Sequence, residues 1–473
     1  MWSRAEAITE LFRGRLTIAG PTTASGLAAS LAIDVSEADA ALLTLESEGV
    51  VLRGYFTHRK SDLKPRTSNL GSRPSLEWCD RALLARIHRY TLNRLRAEIE
   101  PVTPASFMRF LFDWQHVATS SHLTGIDGLR EIVAILDGFE LPASAWERSV
   151  LSARMDHYDP ALLDMLCLSG EVCWARLSSP TPSLKSRPTI IGATPIALFL
   201  RDHSAAWHAL RETGAPGHEA ALSENGRVVL DALRKRGASF FNDLVAATGL
   251  DAYAMRAAIG TLVGSGLAAS DGFSGLRGLV WAARGKPAPR DRRTNFAGRW
   301  TAVDTPPNDR EDENESRNAA TELQAWTLLR RYGIVFRRLL AREPNAAPWR
   351  ELTRIYRRLE ARGEIRGGRF VSGMSGEQFA LPDAVERLRE VRRSHADGAV
   401  VTISTADPLN LAGIVTSGER IRTAGGNRLL YRDGVPLAVR ERDYVRELAP
   451  IPSEIAADIS KALARTRLRT YVG

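Results

Sequence analysis

Apolar positions along this chain recur at helical spacing, alternate briefly, and stop at glycine, and the cycle returns several times. In residues 1–58, Leu11, Phe12 and Leu16 mark a helix expected to end near Gly14. Pro21-Thr22-Thr23 opens a second helix, with Leu27, Ala28 and Leu31 inward. Asp34-Val35-Ser36-Glu37 has the form of a capping box before a third, carrying Ala41, Leu42 and Leu45 to Gly49. Val50 to Phe56 then alternates as a strand. Helix, helix, longer helix and strand pair is the winged-helix order. Residues 222–284 repeat it, with Val228, Val229, Leu230 and Leu233 on one helix and Met255, Ala258, Ile259 and Leu262 on another. Residues 321–371 repeat it again, with Leu352, Ile355 and Leu359 on one buried face and a tight wing from Arg362 to Phe370.

Two stretches break the cycle. Residues 76–175 predict a helical block that holds an aromatic run around residue 110. Residues 372–450 predict a small β-barrel-like module, because 400–403, 412–415 and 429–431 are short apolar runs split by Gly, Asp and Asn. Residues 451–473 predict a C-terminal helix, and 57–75, 178–193, 213–222 and 284–320 predict linkers. The expected fold class is α+β and predominantly helical, with tandem winged-helix units, a helical block and a small C-terminal β-barrel.

Charge sharpens this picture. The 473 residues carry 64 Lys and Arg against 55 Asp and Glu, a net charge of +9, and arginine far outnumbers lysine. Arginine suits phosphate because its planar fork donates two parallel hydrogen bonds. Arg350, Arg354, Arg357, Arg358 and Arg362 fall opposite Leu352, Ile355 and Leu359, and Arg369 follows in the wing. Like charges on one helix face repel, and a phosphate backbone would offset that. A solvated face paired with Glu351, Glu360 and Glu364 is the competing reading. These six arginines are the candidate DNA-binding residues.

Other chemistries lack their signatures. No G-x-x-x-x-G-K-[ST] loop occurs, so no P-loop ATPase is expected. No H-E-x-x-H or paired C-x-x-C occurs, and Cys79, Cys167 and Cys173 are too few for a disulfide framework. No metal and no cofactor are expected. Neither a membrane-length apolar run nor a signal-peptide core is seen, so cytoplasmic, nucleoid-associated residence is the expectation. Trp114 could stack on an extruded base and Gln115 could read a base edge, with His116 beside them; a core Trp with locally bonded neighbours is the competing reading. Asp407-Pro408-Leu409-Asn410 is a polar turn whose carboxylate is either turn punctuation or functional.

Four runs carry a resemblance to a known family. They are Phe107-Met108-Arg109-Phe110-Leu111-Phe112-Asp113-Trp114-Gln115-His116-Val117, Leu166-Cys167-Leu168-Ser169-Gly170-Glu171-Val172, Gly376-Glu377-Gln378-Phe379-Ala380-Leu381-Pro382 and Ala406-Asp407-Pro408-Leu409-Asn410-Leu411. In this order they resemble the C-terminal region of the large helicase-related proteins, Lhr. The resemblance implies a DNA-binding C-terminal module of an ATP-dependent DNA-repair helicase, without the ATPase core. That region resembles in fold the AlkZ-type DNA glycosylases, and some Lhr proteins are linked to removal of uracil from DNA. The alternative it implies is a monofunctional uracil glycosylase. Asp407 and Gln115 are then the catalytic candidates, with Trp114, His116 and Asn410 on the substrate. The AlkZ motif is Gln-x-Gln or Gln-x-Asp, and this chain places Val117 at its third position. The partners implied are DNA, in duplex, forked or single-stranded form, a separate helicase core and a second copy of this chain, but no membrane.

Overall fold

The structure, a computed structural model, describes residues 2–57, 75–97, 99–178, 192–211, 222–283, 298–303, 310–442, 444–451 and 456. They fall into two compact units, Met1–Ile99 and Glu100–Gly473.

In the first unit the order is α1 (Arg4–Leu16), β1 (Thr22–Thr23), α2 (Ala24–Leu31), α3 (Val35–Ser47), β2 (Val51–Gly54), β3 (Glu77–Asp80) and α4 (Arg81–Ala97). Ser3 and Glu6 cap α1 reciprocally, Glu6 N donating to Ser3 Oγ at 3.3 Å and Ser3 N to Glu6 Oε2 at 2.7 Å. The helix runs past Gly14 because Phe12 and Leu16 are both anchored in the core with Leu27, Leu42, Leu45 and Trp78. β3 lies between β1 and β2, antiparallel to both. The sheet therefore closes with a strand beyond residue 58, inside the stretch expected to be a helical block.

The second unit opens with α5 (Pro104–Trp114), capped by Thr103 with Pro104 in the first turn. Next come α6 (Gly125–Ile135), β4 (Glu140–Pro142), a π-helical turn (Trp146–Leu151), α7 (Pro160–Leu168), β5 (Val172–Ala175), β6 (Pro195–Leu200) and α8 (Ser204–Leu210). β6 lies between β4 and β5. The helical block of 76–175 is thus corrected: its second half is another winged helix, with the topology of the first. Its second helix is a single π turn and its third strand begins only at Pro195, so neither leaves a periodic signal in the sequence.

A further winged helix follows: α9 (Glu224–Arg236), β7 (Ser239–Phe240), α10 (Phe241–Thr248), α11 (Ala252–Gly264), β8 (Ala268–Ser270), α12 (Phe273–Ala282) and β9 (Arg299–Ala302). It shares one apolar core with the preceding module, running from Leu129, Trp146 and Trp174 to Ile259, Phe273 and Trp300. Then come α13 (Arg310–Tyr332), β10 (Ile334–Phe336), a 3-10 helix (Arg337–Arg342), α14 (Trp349–Ala361), β11 (Arg366–Gly368) and β12 (Gln378–Ala380). Again the third strand is central in both sheets. β9 and the first half of α13 occupy part of the expected linker 284–320.

α15 (Pro382–Arg393) leads into β13 (Val400–Ser404), β14 (Arg428–Arg432), β15 (Val435–Glu441) and β16 (Tyr444–Glu447). These form an open antiparallel meander in sequence order. The expected barrel is therefore corrected, since among the described residues β13 and β16 are edges and no pairing closes the sheet. The run 412–415 is buried but forms turns, with Ile414 N and Val415 N both donating to Leu411 O. Burial alone explains its apolar character. Asp433 and Gly434 both take positive φ in the β14–β15 turn, and a side chain at Gly434 would run into the Ala105 carbonyl. The expected helix at 451–473 lies outside the described residues, apart from 451 and 456. No described helix is long and apolar enough to cross a membrane.

Candidate nucleic-acid interface

α14 is the third helix of its winged-helix unit. Leu352, Ile355, Tyr356 and Leu359 are buried, and the Tyr356 hydroxyl donates to Ala325 O on α13 at 3.1 Å. This fixes the opposite face outward. Arg350, Arg354, Arg357, Arg358 and Arg362 are all exposed, as is Arg369 in the wing. Three of them have acidic partners: Arg357 with Glu377 at 2.7 Å, Arg358 with Glu322 at 2.5 Å, and Arg362 with Glu364 at 3.7 Å. Such exposed pairs contribute about 0–1 kcal/mol each and give way readily. Arg350, Arg354 and Arg369 make no hydrogen bond or ion pair among the described residues. Arg337 and Arg338, in the 3-10 helix of the same unit, are exposed in the same way. Their adjacency is visible in the sequence, but nothing in the local pattern marks which way that short helix faces.

The corresponding third helices elsewhere differ. α3 and α7 contain no Lys or Arg, and α11 contains only Arg256. Net charge is therefore not spread evenly over the winged helices.

The catalytic candidates occupy a different setting. Asp407, Gln115 and Arg154 are each 0% exposed. Arg154 Nη1 donates to Asp407 Oδ2 at 2.7 Å and Nη2 to Asp407 Oδ1 at 2.9 Å, a bidentate pair. The same Nη2 donates to Gln115 Oε1 at 2.9 Å. Gln115 Nε2 donates to Arg331 O at 2.8 Å, and Arg331 pairs with Glu343. Arg342 donates to the Asp407 carbonyl at 3.2 Å through Nε. Its pKa is lowered, with burial the main cause. Leu409 N donates to Asp407 Oδ1 at 3.0 Å, so the carboxylate also closes its own turn. One connected polar core thus joins α5, two winged helices and the loop after β13. The sequence singles out Asp407 and Gln115 but not Arg154, Arg331 or Arg342, which lack any local motif.

The substrate candidates are also engaged. Trp114 Nε1 donates to Arg330 O at 2.7 Å, and the Arg387 guanidinium lies 5.5 Å over its ring. His116 takes positive φ and its Nδ1 meets Ser121 O at 2.8 Å. Asn410 Nδ2 donates to Thr405 O at 2.8 Å and Ile421 O at 3.1 Å, while its Oδ1 is buried without a partner among the described residues. Asp407, Gln115 and Asn410 are buried, whereas Trp114 and His116 are half-buried.

Comparison with known proteins adds family context. Residues 102–192 and 313–400 match the large helicase-related protein, winged-helix domain, as its third and fourth copies. The chain is 29% identical over 421 residues to a Mycolicibacterium smegmatis protein named Lhr helicase/probable uracil glycosylase, covering 83% of this chain and 26% of that protein. It is 26% identical over 412 residues to the Escherichia coli Lhr helicase/uracil glycosylase, covering 75% of this chain and 26% of that protein. The chain therefore spans about a quarter of the length of these relatives. Streptomyces sahachiroi DNA glycosylase AlkZ superposes with a TM-score of 0.44 at 11% identity, covering 78% of this chain and 97% of that one. The two domain matches and the long alignments thus make the chain similar to the large helicase-related proteins, with residues 102–192 and 313–400 resembling their third and fourth winged-helix domains.

Proposed function

We propose that this chain is a DNA-binding module of an Lhr-type DNA-repair helicase, acting with a motor held in a separate helicase core. The observation that carries the reading is the outward face of α14. Its exposed arginines, with Arg369 in the following wing, stand where a winged helix presents its recognition helix to DNA. Arg350, Arg354 and Arg369 have no described protein partner to give up on meeting phosphate. The test is fluorescence anisotropy of a labelled duplex against the Arg350→Ala, Arg354→Ala, Arg369→Ala variant across salt. Removing three phosphate-neutralising charges lowers the slope of log affinity on log salt by roughly 2.7. An unchanged slope and affinity would place DNA elsewhere.

The relatives' names support a second reading, uracil excision, with Asp407 as the charged group and Gln115 beside it. A carboxylate near the sugar stabilises the positive charge that builds as the glycosidic bond breaks. The observation in its favour is that both residues meet on the Arg154 guanidinium. The cost is equally specific: Asp407 reaches a sugar only if the Arg154 pair opens. Alkali-sensitive cleavage of uracil-containing DNA by the purified chain, lost in Asp407→Asn with DNA affinity retained, is the result this reading requires.

A further inference from the structure

We propose a second phosphate-binding site, formed by Arg148, Arg428 and Arg440 where the C-terminal sheet meets the π turn 146–151. It rests on none of the α14 residues and extends the DNA-binding reading to a new surface. Arg428 and Arg440 are directly opposite on the antiparallel strands β14 and β15. Like charges facing each other across a ladder destabilise a sheet. Arg440 turns part of its guanidinium to the backbone, donating from Nε to Arg442 O at 2.9 Å. Arg428 reaches over to the winged helix, donating from Nη1 to Ser149 Oγ at 3.0 Å. Arg148, the preceding residue on the π turn, is exposed. Arg148 makes no hydrogen bond or ion pair among the described residues, and the hydroxyl of Ser149 is the polar partner the structure gives the Arg428 side chain.

The carboxylates near Arg148 and Arg428 are engaged elsewhere. Glu147 is held by Arg277 at 2.8 Å and by the Tyr158 hydroxyl at 2.7 Å. Asp407 is held by Arg154. Burial first, then the charges of Arg148 and Arg440, lower the pKa of Arg428, which agrees with excess positive charge around it. A half-buried arginine held beside two others, with a neutral hydroxyl as partner, is costly without an anion and favourable with one. A phosphate dianion or phosphodiester offers several acceptors to such a cluster, and its binding relieves the cross-strand repulsion.

The phosphate could belong to a nucleic-acid backbone or to a free anion, and the experiment separates them. Arg148→Ala and Arg148→Glu keep the sheet and the Arg428–Ser149 hydrogen bond intact, because Arg148 is exposed and engages neither. Arg440→Gln removes charge on the other side. In the full chain, duplex affinity is measured against salt, and melting temperature is measured with inorganic phosphate or pyrophosphate at constant ionic strength. If the source is nucleic acid, the salt slope falls by about 0.9 for each phosphate no longer neutralised, and charge reversal weakens binding more than Ala does. If it is a free anion, pyrophosphate raises the melting temperature of the wild-type chain but not of the variants, and duplex affinity is unchanged. Unchanged duplex binding together with no anion-dependent stabilisation in the wild type overturns the site. The α14 variant is run in parallel: if it binds duplex like the wild type while the Arg148 variants do not, the α14 reading fails and this one stands.

Discussion

At the residue scale the polar core around Asp407 sets the strongest expectations. Its carboxylate and the Arg154 guanidinium are both fully buried, so removing either leaves an isolated charge in the interior. Asp407→Ala should therefore cost about 3–5 kcal/mol of stability. A double change, Arg154→Met with Asp407→Leu, removes both charges and should recover much of that loss. Thermal or urea melts of these variants decide; a single substitution that melts like wild type would show that the pair opens freely and would strengthen the excision reading. His208 gives a pH expectation. Its pKa is lowered, mainly by burial and then by Arg211. The folded chain therefore disfavours the protonated ring, so this contribution is complete above the ordinary histidine value of about 6.5 and is lost as pH falls below it. His208→Gln should flatten stability against pH in that window, seen as converging melts of variant and wild type toward acid.

At the scale of elements, winged helices with one strand topology carry different third helices. α14 pairs a firmly buried stripe with an arginine face, whereas α3, α7 and α11 are acidic or nearly uncharged. The arginine changes to alanine on α14 should leave the fold intact, because Leu352, Tyr356 and Leu359 hold the helix and alanine favours it. We expect less than about 0.5 kcal/mol change in stability, as is usual at exposed sites. A large drop in melting temperature would mean that these arginines serve the fold instead. Exposed Leu168 and Met165 on α7, and Tyr253 on α11, suit protein or solvent better than phosphate. The winged-helix shape by itself decides nothing about DNA.

At the scale of the molecule, two compact units are joined near residue 100. The α14 arginines, the Arg148 cluster and the Asp407 core all lie in the second. A fragment beginning at residue 100 should therefore keep the salt-dependent duplex binding of the whole chain. Anisotropy titrations on both would expose any part of the binding that needs residues 1–99. The sequence contains no phosphate-loop motif, so purified chain should show no DNA-stimulated ATP turnover. Turnover that copurifies with the chain through an orthogonal column would overturn that expectation.

Much of this architecture was legible in the sequence. Amphipathic spacing on α1, α9 and α14 located helices because each buries one stripe, and the stripe is written in local order. The arginine face of α14 was legible for the same reason, since what is not buried must face out. The winged helix over 125–200 was not, because its second helix is a brief π turn and its closing strand comes late. The apolar run 412–415 misled toward a barrel, since a buried turn and a strand share the same composition. The neighbours of Asp407 were decided only by tertiary structure. Arg154 lies 253 positions away and Gln115 lies 39 from Arg154. No periodicity records which distant charges will share an interior. That pairing is set by packing, because a charge can be buried there only where its partner is also delivered.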